Sequence, residues 1–408
     1  MSVARRVWVT GIGMLTPLGG QREASWNALL AGQRGLHRLS VEDQSLGEWP
    51  DRAAGGPVAF DLDAPSLSLE TPTDRLARCA AEEALADARL DLSECDRDRV
   101  GCVVGTSKGC MRSFARRLHP SFDETQSPPS AWMSAWTSGP ADNLSRLLDL
   151  RGPLLSPVSA CATGLSSILR GAELIREGVC DVVLAGSADA SLTPAMLASF
   201  RRLGVLAKGD DEPAFSVKPF DRRRSGFLVG EGAAMFVLEA AEHARARQRS
   251  AYAEWLTGGG MADATGLTQL NPDPTALVRL IEDTLRRADL SPCDIDYISL
   301  HGTGTAANDD VEARAIQQAL GSSASKLCCS SLKGSIGHLL GAAGSVEFAA
   351  MLLAIRDSRI PPTVNLREPE YDLDFVPNVA RQRDVHVAIK LSLGFGGHLV
   401  AGIVSQPR

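Results

Sequence analysis

One cysteine, two histidines and a lysine sit in short glycine-rich segments that carry little other charge. Cys161 stands in SACATGLSSI, between the apolar run GPLLSPV and the amphipathic stretch LSSILRGAELIREG. At such a strand-to-helix junction the unpaired N–H groups and the positive dipole end of the helix favour a thiolate. Both lower a cysteine pKa from its free value of about 8.5. Taken alone, the residue reads more readily as a small buried side chain. His301 opens HGTGTAANDDVEARAI directly after the apolar run DYISL, at a strand end, where sites form in α/β sheets. Thr303 and Thr305 in that loop can hydrogen-bond the amides of a ligand. Asp309 and Glu312 have the spacing of helix caps.

SSLKGSIGHLLGAAGSVEFAA places Lys333, His338 and Glu347 in an apolar setting, where charges must be paired or functional if they are buried. LSLGFGGHLV surrounds Phe395 with glycines that permit unusual backbone angles and close approach to a ligand; the plain alternative is a strand–turn–strand hairpin. Neither GTGT nor GFGG has the spacing of a phosphate-binding loop.

Positioning these segments calls for alternating strands and helices. RVWVTGIG, RVGCVVG, CDVVLAGSA, AAMFVLEA, DYISLHG and HVAIKLSLGFGG read as strands. DRLARCAAEEALADA, LSSILRGAELIREG, ALVRLIEDTLRRADL, DVEARAIQQAL and SVEFAAMLLAIRDS read as helices, the second with Leu165, Ile168, Leu169, Ala172 and Ile175 on one face. The alternation gives an α/β fold with covered sheets. ALADARLDLSECDRDRVGCVVGTS echoes TLRRADLSPCDIDYISLHGTG, with Cys95 on Cys293. The offset of roughly 200 residues, about half the chain, points to a duplicated architecture. The seam falls near residue 250, after EAAEHARARQRS, giving halves 1–250 and 251–408. PSFDETQSPPS reads as an exposed loop.

The 408 residues carry a net charge of −7, which argues against a nonspecific nucleic-acid binder. Nine scattered cysteines show no CxxC pair, so neither a zinc site nor a disulfide frame is expected, and a reducing, cytoplasmic setting is. The N-terminal apolar run is broken by Thr10, Gly11 and Gly13 and reads as a first strand rather than a signal peptide. No run reaches the length of a membrane span.

Taken together, RVWVTGIGMLTPLG, WNALLAGQRGL, RGPLLSPVSACATG, KPFDRRRSGFLVGEGAAMFVLE, HGTGTAANDDVEA, LKGSIGHLLGAAG and SLGFGG resemble the β-ketoacyl-acyl carrier protein synthases, condensing enzymes of the thiolase superfamily. The resemblance spans nearly the whole chain and favours the dissociated, type II enzymes or the ketosynthases of related polyketide pathways. It implies a thiolase-like five-layered αβαβα sandwich of two similar halves. It implies a catalytic set of Cys161, His301, His338 and Lys333, with Lys333 and Glu347 orienting His338. An oxyanion hole would be formed by the N–H groups of Cys161 and Phe395. Phe395 and Phe200 would gate or line the acyl tunnel, and Thr303 and Thr305 would contact a phosphopantetheine arm. The implied reaction is decarboxylative Claisen condensation of an acyl-Cys161 with malonyl-acyl carrier protein, as in fatty acid elongation. It needs neither metal nor organic cofactor. The implied partners are an acidic acyl carrier protein, docked by Arg75, Arg201, Arg202 and Lys208, with Arg112, Arg116 and Arg117 as further candidates, and a second subunit, most simply another copy.

Two departures stand out. The last motif of the family usually reads Asn-Ser-Phe-Gly-Phe-Gly-Gly-Thr-Asn, and here Leu391, Leu393, His398 and Leu399 replace its flanking residues. His398 reads as a surface residue, with a third site imidazole as the alternative. Lys108, in GTSKGC, takes a position that is commonly apolar at the acyl pocket. Either the enzyme accepts a short, polar or unusual acyl chain, or the lysine reaches solvent or a carboxylate. The rival readings are a catalytically weak partner subunit, a starter-forming decarboxylase, a thiolase and a scaffold. Cys161 with both histidines opposes the first two, and the absence of a cysteine in GFGGHLV opposes the third.

Overall fold

The computed structural model describes residues 5–39, 49, 51–62, 70–119, 132–133, 135–208 and 211–407; the loop read over PSFDETQSPPS lies outside them. Along the first half run β1 (Val7–Leu15), α1 (Pro72–Ala88), β2 (Val100–Gly105), α2 (Gly139–Leu148), β3 (Leu154–Leu155), α3 (Thr163–Arg176), β4 (Val182–Asp189) and β5 (Gly232–Ala240). The second half repeats the order with β6 (Ala253–Ala262), α4 (Thr275–Arg287), β7 (Tyr297–Ser299), α5 (Ala306–Leu320), β8 (Cys328–Ser330), α6 (Ala343–Asp357), β9 (Val387–Gly394) and β10 (His398–Ser405).

The strands form one ten-stranded sheet in the order β8-β7-β9-β10-β6-β1-β5-β4-β2-β3. Each half contributes the same pattern. β2 runs parallel to β3 and β4, and β7 runs parallel to β8 and β9. The next two pairings in each half are antiparallel, β4–β5–β1 and β9–β10–β6. The halves join where β1 meets β6 antiparallel, with Val7 opposite Trp255 and Val9 opposite Ala253. The echo around Cys95 and Cys293 falls on equivalent short turns, Leu92–Glu94 and Pro292–Asp294, each between a helix and a strand.

The strands are long apolar runs because both faces are covered; β1, β4 and β5 are buried at every position. α1 starts from a Thr71–Asp74 capping box with Pro72 in its first turn, and its alanine-rich face packs with α2 on the outside of the first half. α4 and α5 cover the outside of the second half with Leu277, Leu280, Ile281 and Ile316. Between the two half-sheets lie α3 and α6, whose Ile168, Ala172, Phe348 and Leu352 share one core with strand residues of both halves. The layers are therefore αβαβα, as the resemblance implied. No helix among the described residues is long and apolar enough to cross a membrane.

Candidate active site

Cys161 sits in a single 3-10 turn, Ala160–Ala162, that leads directly into α3. Ala160 enters that turn in the left-handed region, at φ 47. A strained non-glycine residue beside a reactive group is a common feature of functional sites. Gly164, one turn on, lets α3 cross the start of α6. A Cβ there would lie 2.4 Å from the Ser345 backbone nitrogen. The glycine thus brings two helix N-termini together rather than simply clearing space around the thiol.

The half-buried Cys161 side chain faces a cavity of about 450 Å³ that is also lined by His301, His338 and Phe395. Residues separated by well over a hundred positions meet there because the turns before α3 and α6 and the ends of β7 and β9 converge. The His301 and His338 rings are 5.3 Å apart between centroids and nearly perpendicular, at 79°. The Phe395 N–H faces the Cys161 sulfur and favours its thiolate. It comes from the tight turn between β9 and β10, where Gly394 pairs with His398. The hairpin reading of that glycine-rich segment is realised, and Gly394, Phe395 and Gly397 line the cavity.

The expected lowering of the thiol pKa is reversed. Burial pushes the Cys161 thiol up to about 11, against the pull of Lys108, Lys333 and the Phe395 N–H. Loss of hydration outweighs these favourable charges and the helix end. The resting group is a thiol, and forming the thiolate requires a proton acceptor close by. Burial first and Lys333 second drive both His301 and His338 well below the ordinary imidazole value, so both rings are neutral at pH 7.

Their tautomers follow from their partners. The Leu340 N–H points at His338 Nδ1 at 3.3 Å, and Lys333 Nζ stands 3.5 Å from His301 Nδ1. A donor at each Nδ1 leaves Nε2 carrying the proton in both rings. Lys333 is fully buried, also donates to the His301 carbonyl, and lies 2.5 Å from Glu347 Oε1. The network expected to orient His338 is therefore built onto His301. His338 is held instead by the Leu340 N–H and by the Phe227 ring, 5.0 Å away edge-on.

Asp309 and Glu312 do more than cap a helix. Glu312 accepts the His301 and Gly302 N–H groups at 2.6 and 2.7 Å, and Asp309 accepts those of Phe220 and Gly304 at 2.7 and 3.1 Å. Burial pushes Glu312 up to about 7. The helix cap itself is Thr305, which accepts the Asn308 N–H and is 2.8 Å from the Thr303 hydroxyl. Thr303 and Thr305 line the cavity, as does Phe200, which stacks edge-on against Phe227 at 5.6 Å.

Lys108 also lines the cavity. Its Nζ contacts the Ser107 hydroxyl and stands 3.5 Å from Asp189 Oδ2, a carboxylate with no exposure. Of the docking candidates, Arg201, Arg202 and Lys208 are exposed beside the cavity wall, while Arg75 is half-buried with its guanidinium over Phe60. Arg112 is a correction: it turns inward to the buried carboxylate of Glu231, at 3.1 and 3.2 Å, and is not available to a partner. Arg116 and Arg117 are half-buried on the helix Met111–Leu118. His398 is exposed and lies outside the cavity lining.

Residues overlooked in the sequence are Asp189, Phe227, the clamping role of Glu312, and Lys390. The last was signalled by a lone charge in the strand run VAIKLSLG.

Sequence and structure comparisons agree with this architecture. Residues 4–244 match the model of the β-ketoacyl synthase N-terminal domain, and residues 252–367 match that of the C-terminal domain. The chain belongs to the β-ketoacyl synthase family. It is 37% identical to 3-oxoacyl-[acyl-carrier-protein] synthase 2 of Coxiella burnetii, covering 96% of each chain. It is 36% identical to the tetracenomycin polyketide synthase ketoacyl synthase alpha subunit of Streptomyces glaucescens, covering 99% of this chain and 98% of that one. Among solved structures, a type II polyketide ketosynthase in complex with its acyl-carrier protein and bound to a hexaketide superposes with a TM-score of 0.89 at 30% identity, over 100% of both chains.

Proposed function

We propose that the protein is a β-ketoacyl-acyl carrier protein synthase that condenses an acyl group held on Cys161 with a malonyl thioester, releasing CO2. The observation that carries this reading is the cavity in which a thiol at a helix start faces two neutral imidazoles of the same tautomer. Cys161 attacks an acyl thioester, and its proton passes to the departing carrier thiolate, which leaves as the thiol. The N–H groups of Cys161 and Phe395 receive the oxyanion. The malonyl group then loses CO2, and the enolate oxygen forms facing the Nε2–H groups of His301 and His338. The resulting carbanion attacks the acyl-Cys161 carbonyl and frees a β-ketoacyl thioester longer by two carbons. Decarboxylation supplies the carbanion, so the reading calls for no metal or organic cofactor.

The acyl and malonyl groups arrive on a carrier protein in this reading. Exposed Arg201, Arg202 and Lys208 form a suitable landing for an acidic carrier, and Thr303 and Thr305 lie where its phosphopantetheine arm would enter. The division of labour follows the two halves, 1–250 supplying Cys161 and 251–408 the imidazoles. A homodimer is supported by exposed apolar side chains near the sheet edge at β3. Phe114, Trp132, Trp136, Leu154 and Val158 are all more than 40% exposed. The Ser156 hydroxyl bonds the Thr137 carbonyl and the Cys110 N–H that of Ala135, which draws these segments together. Nine free thiols agree with a cytoplasmic setting.

Lys108 favours a second, finer reading, a ketosynthase of a specialised pathway handling short or oxygenated acyl chains. An ammonium group on the cavity wall opposes a long hydrocarbon. Intact mass spectrometry after exposure to acyl-carrier donors of several lengths tests both readings. An adduct on wild type and none on Cys161→Ala is expected, and no adduct at any length on the folded wild type removes the proposal. Malonyl-carrier decarboxylation without acylation points to a starter-forming decarboxylase instead.

A further inference from the structure

Lys390 lies mid-strand in β9 and is fully buried. A buried ammonium has to be met by acceptors or by a counter-charge. Its Nζ donates to the carbonyls of Ser299 (3.3 Å), Leu300 (3.1 Å) and Leu391 (2.6 Å). It also stands 2.8 Å from Glu347 Oε2, a charge contact made off the hydrogen-bonding direction. Lys333 holds the other oxygen of the same carboxylate at 2.5 Å. One anion on α6 thus lies between two cations. Ser299 and Leu300 immediately precede His301, and Leu391 belongs to the strand that runs on to Phe395.

We propose that Lys390 is a positioning residue for the condensation, fixing the end of β7 beneath His301 and supplying the second cation that keeps this imidazole an Nε2–H donor. The inference rests on the reading of the cavity as a condensing centre. Geometrically, Lys390 ties three pieces of the site together: the His301 arm, the strand leading to the oxyanion turn, and Glu347 on the central helix. Electrostatically, Lys333, His338 and Lys390 all face His301, while Glu312 takes its backbone N–H. Glu347, Lys333 and Glu312 face Lys390 in turn, and burial pulls its own pKa down while Glu347 pulls it up. With Lys390 removed, one of the charges that discourage an imidazolium at His301 is gone, while burial and Lys333 still oppose it. A protonated His301 would carry a hydrogen on Nδ1, where Lys333 Nζ already stands.

The test is the pH profile of CO2 release from malonyl-pantetheine by wild type and by Lys390→Met, with thermal unfolding recorded on both. The expected result is an acid limb displaced upward by about one pH unit in the variant, as removal of a nearby like charge dictates. The variant's deficit relative to wild type then grows toward acid pH and approaches tenfold only below both acid limbs. A folded variant whose profile superimposes on that of wild type overturns the proposal. Should Lys390→Met not fold, Lys390→Gln, which keeps a donor for the backbone carbonyls and drops the charge, decides: an acid limb displaced upward supports the proposal, and a profile superimposed on that of wild type overturns it. Absence of CO2 release by folded wild type removes the condensing reading itself, and this inference with it.

Discussion

Ala160 and Leu340 occupy the same place in the two halves. Each is held in the left-handed region, at φ 47 and φ 50, and each opens the single turn that leads into a central helix. In the first half the next residue is Cys161. In the second it is Gly341, whose N–H donates to Asp189 at 3.1 Å, with His338 two residues before the strained position. Two copies of one turn, meeting across the middle of the molecule, supply the thiol from one and an imidazole from the other.

The thiol can be titrated through its reactivity. Because burial pushes Cys161 up to about 11, the thiolate fraction is small at neutrality and rises about tenfold per pH unit below that value. The rate of iodoacetamide labelling at Cys161, followed by peptide mass spectrometry, is expected to climb steadily from pH 6 to pH 9.5. A plateau beginning near pH 7 would mean a stabilised thiolate and would contradict the buried-thiol account.

Glu347 is the anion of the cluster around His301, 2% exposed and in contact with two lysines of no exposure. Glu347→Gln leaves the buried Lys333 ammonium without its carboxylate and Lys390 with only the more distant Glu312. Uncompensated charges of this kind cost about 3–5 kcal/mol. Urea unfolding should show a loss of that size; a loss below about 1 kcal/mol, the range of exposed ion pairs, would show that water reaches the cluster.

The proposed role of Lys108 in substrate length can be tested directly. Lys108→Met removes the cation from the cavity wall while keeping a similar length of chain. Relative acylation by palmitoyl and acetyl carrier donors is expected to swing toward palmitoyl by on the order of tenfold, the equivalent of about 1.4 kcal/mol. A wild type that already prefers palmitoyl strongly would remove Lys108 as a determinant of chain length.

Gly164 tests the helix crossing. A side chain there meets the Ser345 backbone nitrogen at 2.4 Å, so α3 and α6 must part. Gly164→Val should cost about 1–3 kcal/mol by overpacking. It should also slow Cys161 acylation in the fraction that remains folded, because the two turns separate. Unchanged acylation and an unchanged thermal midpoint would place the helices further apart than described.

Much of this was legible in the amino-acid sequence, and the exceptions have physical causes. Cys161, His301, Lys333, His338 and Phe395 stood out because each breaks an apolar, glycine-rich segment, and the structure gathers all but the lysine around one cavity, with Lys333 behind His301. The strand β6 is missing from the expected strands because Gly258, Gly259 and Gly260 lack the β-branched and aromatic side chains that mark one. Gly258 is in fact a strand residue lying under the Trp255 ring, where a Cβ would come within 2.6 Å. Thiol acidity was misjudged because a helix end is visible in sequence and the depth of burial is not. The clamping role of Glu312 was hidden because its donors include the His301 and Gly302 backbone N–H groups, which every residue but proline carries, and that of Asp189 because Ser107, Lys108 and Gly341 lie far from it in the chain. Arg112 looked like a surface cation because its partner, Glu231, is more than a hundred residues away.

Asp189 has a consequence for how such a protein can change. Its one carboxylate accepts the Ser107 hydroxyl at 2.5 Å, faces Lys108, and also accepts the Gly341 N–H just beyond His338. The cavity wall at Lys108 and the turn that seats the His338 imidazole are therefore fastened at a single point. On the reading of Lys108 as the chain-length determinant, a lineage that altered position 108 to admit a new acyl group would perturb its own chemistry in the same step, and selectivity and turnover would be inherited together.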